Sequence, residues 1–310
     1  MDITHTIQSL LSASSDLILQ RLGARERIIS LARSLITTLE TPSERIFRLA
    51  FAEPAGFALL RTAIDLSIFS ILRHANGAAV AVAALAAPKE ADPVFVHRML
   101  RHLAAMDVVK ETAAGEYAST PFSDALTEDR YRGGIVYTYD VLGPSLRDLP
   151  AFMAETGYKN PFDPAGGPFQ HAHGTREPFF AWLAGHPEYM TAFNQYMGGY
   201  RAGKASWLDA GGVFPAEQML RLDETAEREN RAVIVDVGGG MGQDLLELRM
   251  KHPEVKGRMV LQDLPAVIEQ IKDLPEEIEA TAHDFFETQP VKGRSFKLPN
   301  LLNPNPNQTS

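Results

Sequence analysis

The sequence has no cysteine among its 310 residues, which excludes disulfide bonds, thiolate metal ligands and cysteine nucleophiles. It has no excess of basic residues either: 30 Lys and Arg stand against 39 Asp and Glu, for a formal net charge of -9. An acidic chain is poorly suited to phosphate backbones, so no nucleic-acid partner is expected. No apolar run approaches the length of a membrane span, and Met1–Leu10 lacks the basic start and apolar centre of a signal peptide. We therefore expect a cytoplasmic protein without a membrane partner, long enough for two domains.

Glycine, by contrast, is concentrated directly after one apolar segment. Val233–Val237 is typical of a strand buried on both faces of a parallel sheet. The glycines that follow are Gly238, Gly239, Gly240 and Gly242. Helix-forming residues then run from Gln243 to His252. Strand, glycine turn and helix predict the first unit of a nucleotide-type fold, with the ligand outside the carboxyl end of the strand.

The spacing of these glycines bears on which ligand is bound. The dinucleotide fingerprint needs glycine at its first, third and sixth places, and here the sixth place is Gln243. No Gly-Lys-Ser/Thr follows the turn, so the P-loop is absent too. A cofactor without phosphates is therefore favoured.

Two carboxylates follow at the spacing of successive βα units. Asp263 ends the strand predicted at Arg258–Gln262, 21 residues after the last glycine of the turn, where an acid holds a ribose diol. Asp284 follows a third predicted strand, Ile278–Ala282, and precedes Phe285. A carboxylate beside an aromatic ring suits the amino group and the ring face of a purine.

Three motifs, VDVGGGMG, LQDLP and HDFF, in this order resemble the class I S-adenosylmethionine-dependent O-methyltransferases. The branch is that of plant caffeate and flavonoid enzymes and fungal secondary-metabolite enzymes, and the resemblance extends to about Gly293. It implies S-adenosyl-L-methionine as the cofactor. The implied cofactor-binding residues are Gly238, Gly239, Gly240 and Gly242 at the turn, Asp263 at the ribose, and Asp284 with Phe285 at the adenine.

The resemblance also implies an acceptor site. Phe193, Met197 and Tyr200 match the segment that faces the acceptor, which implies an aromatic or polyketide-like small molecule. The alternative is core packing, since Phe193 and Met197 share a helix face by their i, i+4 spacing.

The family's catalytic base is a histidine in a His-Asp-Trp motif after the next strand. Pro290–Arg294 matches the approach to that strand, but 295–310 contains no such motif, and the last histidine is His283. No catalytic residue is therefore assigned. We expect a C-terminally truncated, impaired enzyme with a disordered tail at 299–310. The alternative is a non-catalytic, methyltransferase-like protein that acts as a regulatory dimerisation partner or a non-methylating auxiliary.

The first part of the chain, 1–160, is predicted to be helical. A helix from Ala55 to about Leu72 is apolar nearly all round, so it must be buried in a core or against a second subunit. Val80–Ala87, Asp92–Met106 and a following two-stranded wing form a winged-helix pattern. The alternative to a dimerisation role is DNA recognition through Arg98, Arg101 and His102. The resemblance implies a homodimer.

A loop rich in Gly and Pro is predicted at 157–175 and marks the domain boundary. His171 and His173 lie in it as metal ligands or, as we expect, solvated side chains, and no metal is expected. The fold class is thus α/β: an N-terminal all-α winged-helix dimerisation domain, then an incomplete Rossmann-like S-adenosylmethionine-binding domain at 176–298.

Overall fold

A computed structural model describes residues 3–19, 21, 23–199, 208, 231–255, 257–269, 271, 273–285 and 287–297. The chain forms two compact units, Met1–Tyr200 and Arg201–Ser310. Among the described residues, no single helix has the length and apolarity needed to cross a membrane. The pair Pro42–Asp65 and Ile68–His74 reaches that length and apolarity only when the two are taken together, and a bend of 66° separates them.

The first unit begins with helices that follow one another closely. They are α1 (Ile3–Ile18), α2 (Ala24–Leu39), α3 (Pro42–Phe47), α4 (Glu53–Asp65) and α5 (Ile68–His74), with a π-helical turn at Arg48–Ala52 between α3 and α4. The start of α3 is a capping box: Glu44 N donates to Thr41 Oγ1 at 3.3 Å and Thr41 N donates to Glu44 Oε2 at 2.9 Å.

The prediction of a single helix from Ala55 to about Leu72 is wrong. It is two helices, because Ser67 adopts a left-handed conformation with φ 57° and the helical hydrogen bonding cannot run through it. The buried side chains expected of it are present on both pieces, including Leu60, Ile68 and Leu72.

The winged-helix pattern is confirmed, with one strand more than predicted. It consists of β1 (Val80–Ala81), α6 (Val82–Ala86), α7 (Pro93–Ala105), β2 (Lys110–Ala113) and β3 (Glu116–Ala118). The antiparallel sheet has the order β1-β3-β2, so β3 is central. Tyr117 on β3 is fully buried, and its hydroxyl lies 2.9 Å from His97 Nδ1 on α7. His102, a candidate for DNA contact, instead places Nε2 3.0 Å from the carbonyl oxygen of Ala52.

The rest of the first unit is helical. Its helices are α8 (Pro121–Ala125), α9 (Asp129–Val136), α10 (Gly143–Glu155), α11 (Pro168–His173), α12 (Phe179–Ala184) and α13 (Pro187–Gly199), with a π-helical turn at Tyr137–Leu142. The prediction of a loop over 157–175 is wrong in its second half, where α11 forms after Pro168 at its first position.

The compact units divide at a different place from the predicted domains. Helices α12 and α13 pack on Tyr137 and Val141 of the first unit, so the spatial division falls after Tyr200. The boundary predicted near 160–176 remains a prediction about sequence domains.

The second unit contains a parallel sheet of β4 (Ala232–Val237), β5 (Met259–Asp263), β6 (Ile278–Ala282) and β7 (Gly293–Lys297), in the order β6-β5-β4-β7. Helix α14 (Gln243–Lys251) follows β4, and the short α15 (Pro265–Ile268) follows β5. Every residue of β4 is buried, as the apolar run predicts. The predicted tail at 299–310 lies outside the described residues.

Candidate functional site

The glycine turn between β4 and α14 has the backbone that its sequence predicts. Gly238, Gly240 and Gly242 have φ of 68°, 60° and 80°, a region that L side chains rarely adopt. Gly239 is needed for a different reason. A Cβ on it would lie 2.7 Å from Asp236 Oδ2 and would also clash with the side chain of Leu261. This turn, Gly238–Gly242, is called the cradle below; it packs so closely on Asp236 and Leu261 that Gly239 has no room for a side chain.

The cradle is tied to the neighbouring strand by backbone hydrogen bonds. Gly238 N and Gly239 N both donate to the carbonyl oxygen of Gln262, at 2.7 and 3.2 Å. Because Gln262 lies opposite Val237 in the β4–β5 register, these bonds extend the sheet by one step into the turn. The position of the turn thus depends on the last residues of β5.

Asp263 ends β5 and faces the cradle. Its Oδ2 accepts from Gly240 N at 2.8 Å and its Oδ1 accepts from Leu264 N at 2.8 Å. An ionised carboxylate has about four acceptor positions, so these two N–H groups leave room for two further donors. The two hydroxyls of a ribose are donors of that kind. The chemistry of this residue therefore fits an adenosyl group.

Asp284 and Phe285 follow β6 at the same edge of the sheet. Ala282 is in register with Asp263, and His283 N donates to the Asp263 carbonyl oxygen at 2.9 Å. Asp284 is exposed and the Phe285 side chain is 57% exposed, so both present surface to a ligand. The structure thus brings the predicted turn, Asp263 and Asp284 to the carboxyl ends of three adjacent strands.

Two polar residues of this region are not predicted as site residues. Asp236 on β4 is fully buried against Gly239, and Gln262 on β5 is fully buried with its side chain paired to Gln289. The signal in the sequence is a polar residue inside an otherwise apolar strand, since buried polar groups require partners. Which partner each takes cannot be read from spacing.

The predicted acceptor residues lie on α13 or just after it. Phe193 is partly buried and packs on Tyr137, with ring centroids 5.3 Å apart, and on Phe180 at 5.8 Å. Met197 is also partly buried, and Tyr200 lies outside the described residues. These contacts favour packing for Phe193, and the acceptor role of all three stays a prediction. Burial raises the pKa of Tyr137, so its hydroxyl stays neutral.

His171 and His173 lie on α11 rather than in a loop. His173 Nε2 is 2.8 Å from the Val141 carbonyl oxygen, and its ring lies 4.7 Å from that of Trp182. His171 Nδ1 is 3.7 Å from Glu155 Oε2. The part of the chain that is described holds no group of three or more His, Asp or Glu placed to bind a metal ion. The expectation of solvated side chains is wrong for His173, which belongs to an aromatic cluster.

Two family models match the chain: the O-methyltransferase dimerisation domain over residues 55–129 and the O-methyltransferase domain over residues 160–302. O-methyltransferase mpaG of Penicillium brevicompactum is 38% identical over 288 residues, which cover 92% of this chain and 72% of that protein.

Solved structures match as well. "The structure of LepI complex with SAM" has a TM-score of 0.75 at 28% identity and covers 96% of this chain and 75% of the other. One described as "A Pericyclic Reaction enzyme" has a TM-score of 0.73 at 29% identity and covers 92% and 74%.

Proposed function

Since this chain belongs to the S-adenosylmethionine-dependent O-methyltransferase family of fungal secondary metabolism, we propose that it binds S-adenosylmethionine at the glycine turn and acts on a hydroxyl of an aromatic or polyketide-type acceptor. The observation that carries the proposal is the contact of 2.8 Å between Asp263 Oδ2 and Gly240 N. It joins the carboxylate for the ribose to the cradle for the methionine part.

Each element of the site has a separate task in this proposal. The methionine part of the cofactor lies against the cradle, whose glycines carry no side chain that would hold it away. Asp263 accepts two hydrogen bonds from the ribose, while Gly240 and Leu264 hold its carboxylate in place. Asp284 accepts from the adenine amino group, and the exposed ring of Phe285 covers the base. The bound cofactor supplies an electrophilic methyl group on a sulfonium.

Methyl transfer also needs a group that takes the proton of the acceptor hydroxyl. The oxygen then forms a bond to the methyl carbon as the carbon–sulfur bond breaks and the thioether leaves. We propose that the 310-residue chain, which contains no His-Asp-Trp motif, methylates slowly. General base catalysis contributes about 10²–10⁴-fold, so a deficit of that size is expected against a relative that has the motif. A phenolic acceptor should react faster at higher pH, where it is already ionised. Equal rates at neutral pH would contradict the proposal.

A second candidate function is a non-methylating one, in which the chain binds the cofactor and steers a rearrangement or regulates a partner. The observation that favours it is the likeness to a structure described as a pericyclic reaction enzyme. The two functions differ in cofactor consumption. A methyltransferase converts S-adenosylmethionine to S-adenosylhomocysteine as product accumulates, whereas an auxiliary retains it unchanged.

The match to a dimerisation domain suggests a homodimer, and we propose that the apolar surface around the π-helical turn before α4 is part of it. Consecutive turns expose Ile46, Phe47, Leu49 and Phe51 at 62, 64, 51 and 62% of their surface. So many large apolar side chains on one segment normally mark an interface. A second copy of the chain is the partner, because the segment leads directly into the matched domain.

The deciding experiment is calorimetric titration of the chain with S-adenosylmethionine and with S-adenosylhomocysteine, followed by methyl-transfer assays on a set of phenolic acceptors. Saturable binding of both nucleosides is expected. Absence of heat with either nucleoside, confirmed by equilibrium dialysis, would overturn the cofactor site itself.

A further inference from the structure

A pair of side-chain amides, one buried and one half-buried, joins the end of β5 to the connection between β6 and β7. Gln262 Nε2 donates to Gln289 Oε1 at 2.9 Å, and Gln289 Nε2 donates to Gln262 Oε1 at 2.8 Å. Gln289 Oε1 also accepts from Val291 N at 2.9 Å. Gln262 is fully buried. The two side chains therefore satisfy each other, and removal of Gln289 would leave the buried Gln262 amide without its hydrogen-bond partner, which costs free energy.

We infer that the amide pair Gln262–Gln289 positions the cofactor site, holding the glycine turn and Asp263 in fixed relation to the connection that carries Asp284 and Phe285. The inference rests on the proposed function, since it takes this edge of the sheet as the S-adenosylmethionine site. Both glutamines are positioning residues, and neither is assigned a contact with the cofactor.

The β5 side of the pair controls the turn through the backbone. The Gln262 carbonyl oxygen accepts from Gly238 N and Gly239 N, and the next residue is Asp263, whose carboxylate accepts from Gly240 N. Successive side chains of a strand point to opposite faces, so Gln262 points away from the face that Asp263 occupies. A shift of the backbone at Gln262 would therefore disturb three hydrogen bonds of the cradle at once, and the amide pair opposes such a shift.

The other side of the pair controls the connection, residues 283–292. Its described residues form neither helix nor strand, and its internal backbone bond is the turn from Glu287 N to the Asp284 carbonyl oxygen at 2.9 Å. A segment without regular hydrogen bonding takes its path from side-chain contacts. Gln289 supplies one of these, and Val291 packs on the sheet beside it.

The test replaces Gln289 by leucine and measures two quantities in the full 310-residue chain. The first is the rate of amide hydrogen exchange, without ligand, in the proteolytic fragment that contains Gly238–Gly240. The second is the Kd for S-adenosylhomocysteine, well below the melting temperature of each variant. Gln289→Leu is expected to speed the exchange and to raise the Kd about tenfold, which corresponds to about 1.4 kcal/mol. Because the pair acts as a unit, Gln262→Leu with Gln289→Leu should also lose about tenfold rather than about a hundredfold.

A second variant and a control keep a folding defect from imitating this result. Gln289→Glu keeps the acceptor for Val291 N and loses the donor to Gln262, so it should show a smaller change of the same sign. Gln170→Leu removes another buried amide, whose bonds go to Gly167 and Glu177, and should leave the Kd within twofold of wild type.

The outcomes separate this inference from the proposed function. Unchanged exchange at Gly238–Gly240 in Gln289→Leu overturns the positioning role. If the wild-type chain fails to bind S-adenosylhomocysteine, the proposed function falls. The exchange result still decides whether the amide pair holds the turn.

Discussion

Removal of the Asp263 carboxylate tests the proposed cofactor site most directly. Gly240 and Leu264 occupy two of its acceptor positions, which leaves two for the ribose hydroxyls. A hydrogen bond to a charged group contributes about 1.5–3 kcal/mol, so two contribute about 3–6 kcal/mol. At about 1.4 kcal/mol per factor of ten, this is about 10²–10⁴-fold in Kd. Asp263 is only half-buried, and solvent screening places the expected loss for Asp263→Ala near the lower end, about 10²-fold.

The assay is calorimetric titration with S-adenosylhomocysteine and with its 2′-deoxyribose analogue. The wild-type chain should bind the analogue about tenfold more weakly, because one hydroxyl is missing. Asp263→Ala should bind both nucleosides almost equally, since the group that distinguishes them is gone. Asp273→Asn changes an exposed carboxylate of the same unit and serves as the control.

The two nucleosides also provide the refutation. If Asp263→Ala still preferred S-adenosylhomocysteine to its deoxy analogue as strongly as wild type, Asp263 would not be the ribose ligand. If its affinity stayed within twofold of wild type, the carboxylate would have no part in binding.

Three further predictions concern packing, assembly and titration. Gly239→Ala should lower the free energy of unfolding, measured by urea denaturation, by about 1–3 kcal/mol through overpacking. The control Gly198→Ala, in open space on a helix, should be neutral or stabilising. Equal effects of the two substitutions would contradict the close packing of Gly239 on Asp236 and Leu261. Phe47→Ser with Phe51→Ser should shift sedimentation from dimer to monomer with the helical circular dichroism preserved, and an unchanged dimer would exclude that surface from the interface. Burial raises the pKa of Tyr117 to about 12, so the contribution of its neutral hydroxyl to stability is complete below pH 10 and is lost as the pH rises towards 12. Tyr117→Phe should remove that pH dependence of the melting temperature. If the melting temperatures of wild type and Tyr117→Phe fell in parallel between pH 10 and 12, this assignment would be refuted.

The strands of the second unit could be predicted because their residues leave few choices. Val233–Val237 is apolar enough that only a position inside a sheet buries it, and glycines behind it permit a turn that other residues resist. The approach of Asp263 to the turn follows from parallel strands ending at one edge. The glycine turn and Asp263 could therefore be placed together from local pattern and spacing, and their cofactor-binding roles stay predictions.

Other features depend on contacts that local pattern does not contain. Nothing in Ala55–Leu72 marks Ser67 as the residue that turns left-handed, since serine is also acceptable in a helix. The pairing of Gln262 with Gln289 joins a residue of β5 to a residue of the connection after β6, and local sequence does not reveal that partner. Likewise His173 packs its ring beside that of Trp182, although composition alone would assign this histidine to solvent.

The strand order has a consequence for biosynthesis. The strand β4 lies between β5 and β7, and Ala232 is in register with Gly293. The strand β7 therefore leaves the ribosome long after β4. Until then one flank of this strand, which is fully buried in the folded protein, has unsatisfied amide and carbonyl groups. Pairings so distant along the chain form slowly, and the nascent intermediate is prone to aggregation. Chaperone capture during translation should therefore centre on the stretch that ends in the glycine turn, and should cease once the segment through Lys297 has emerged.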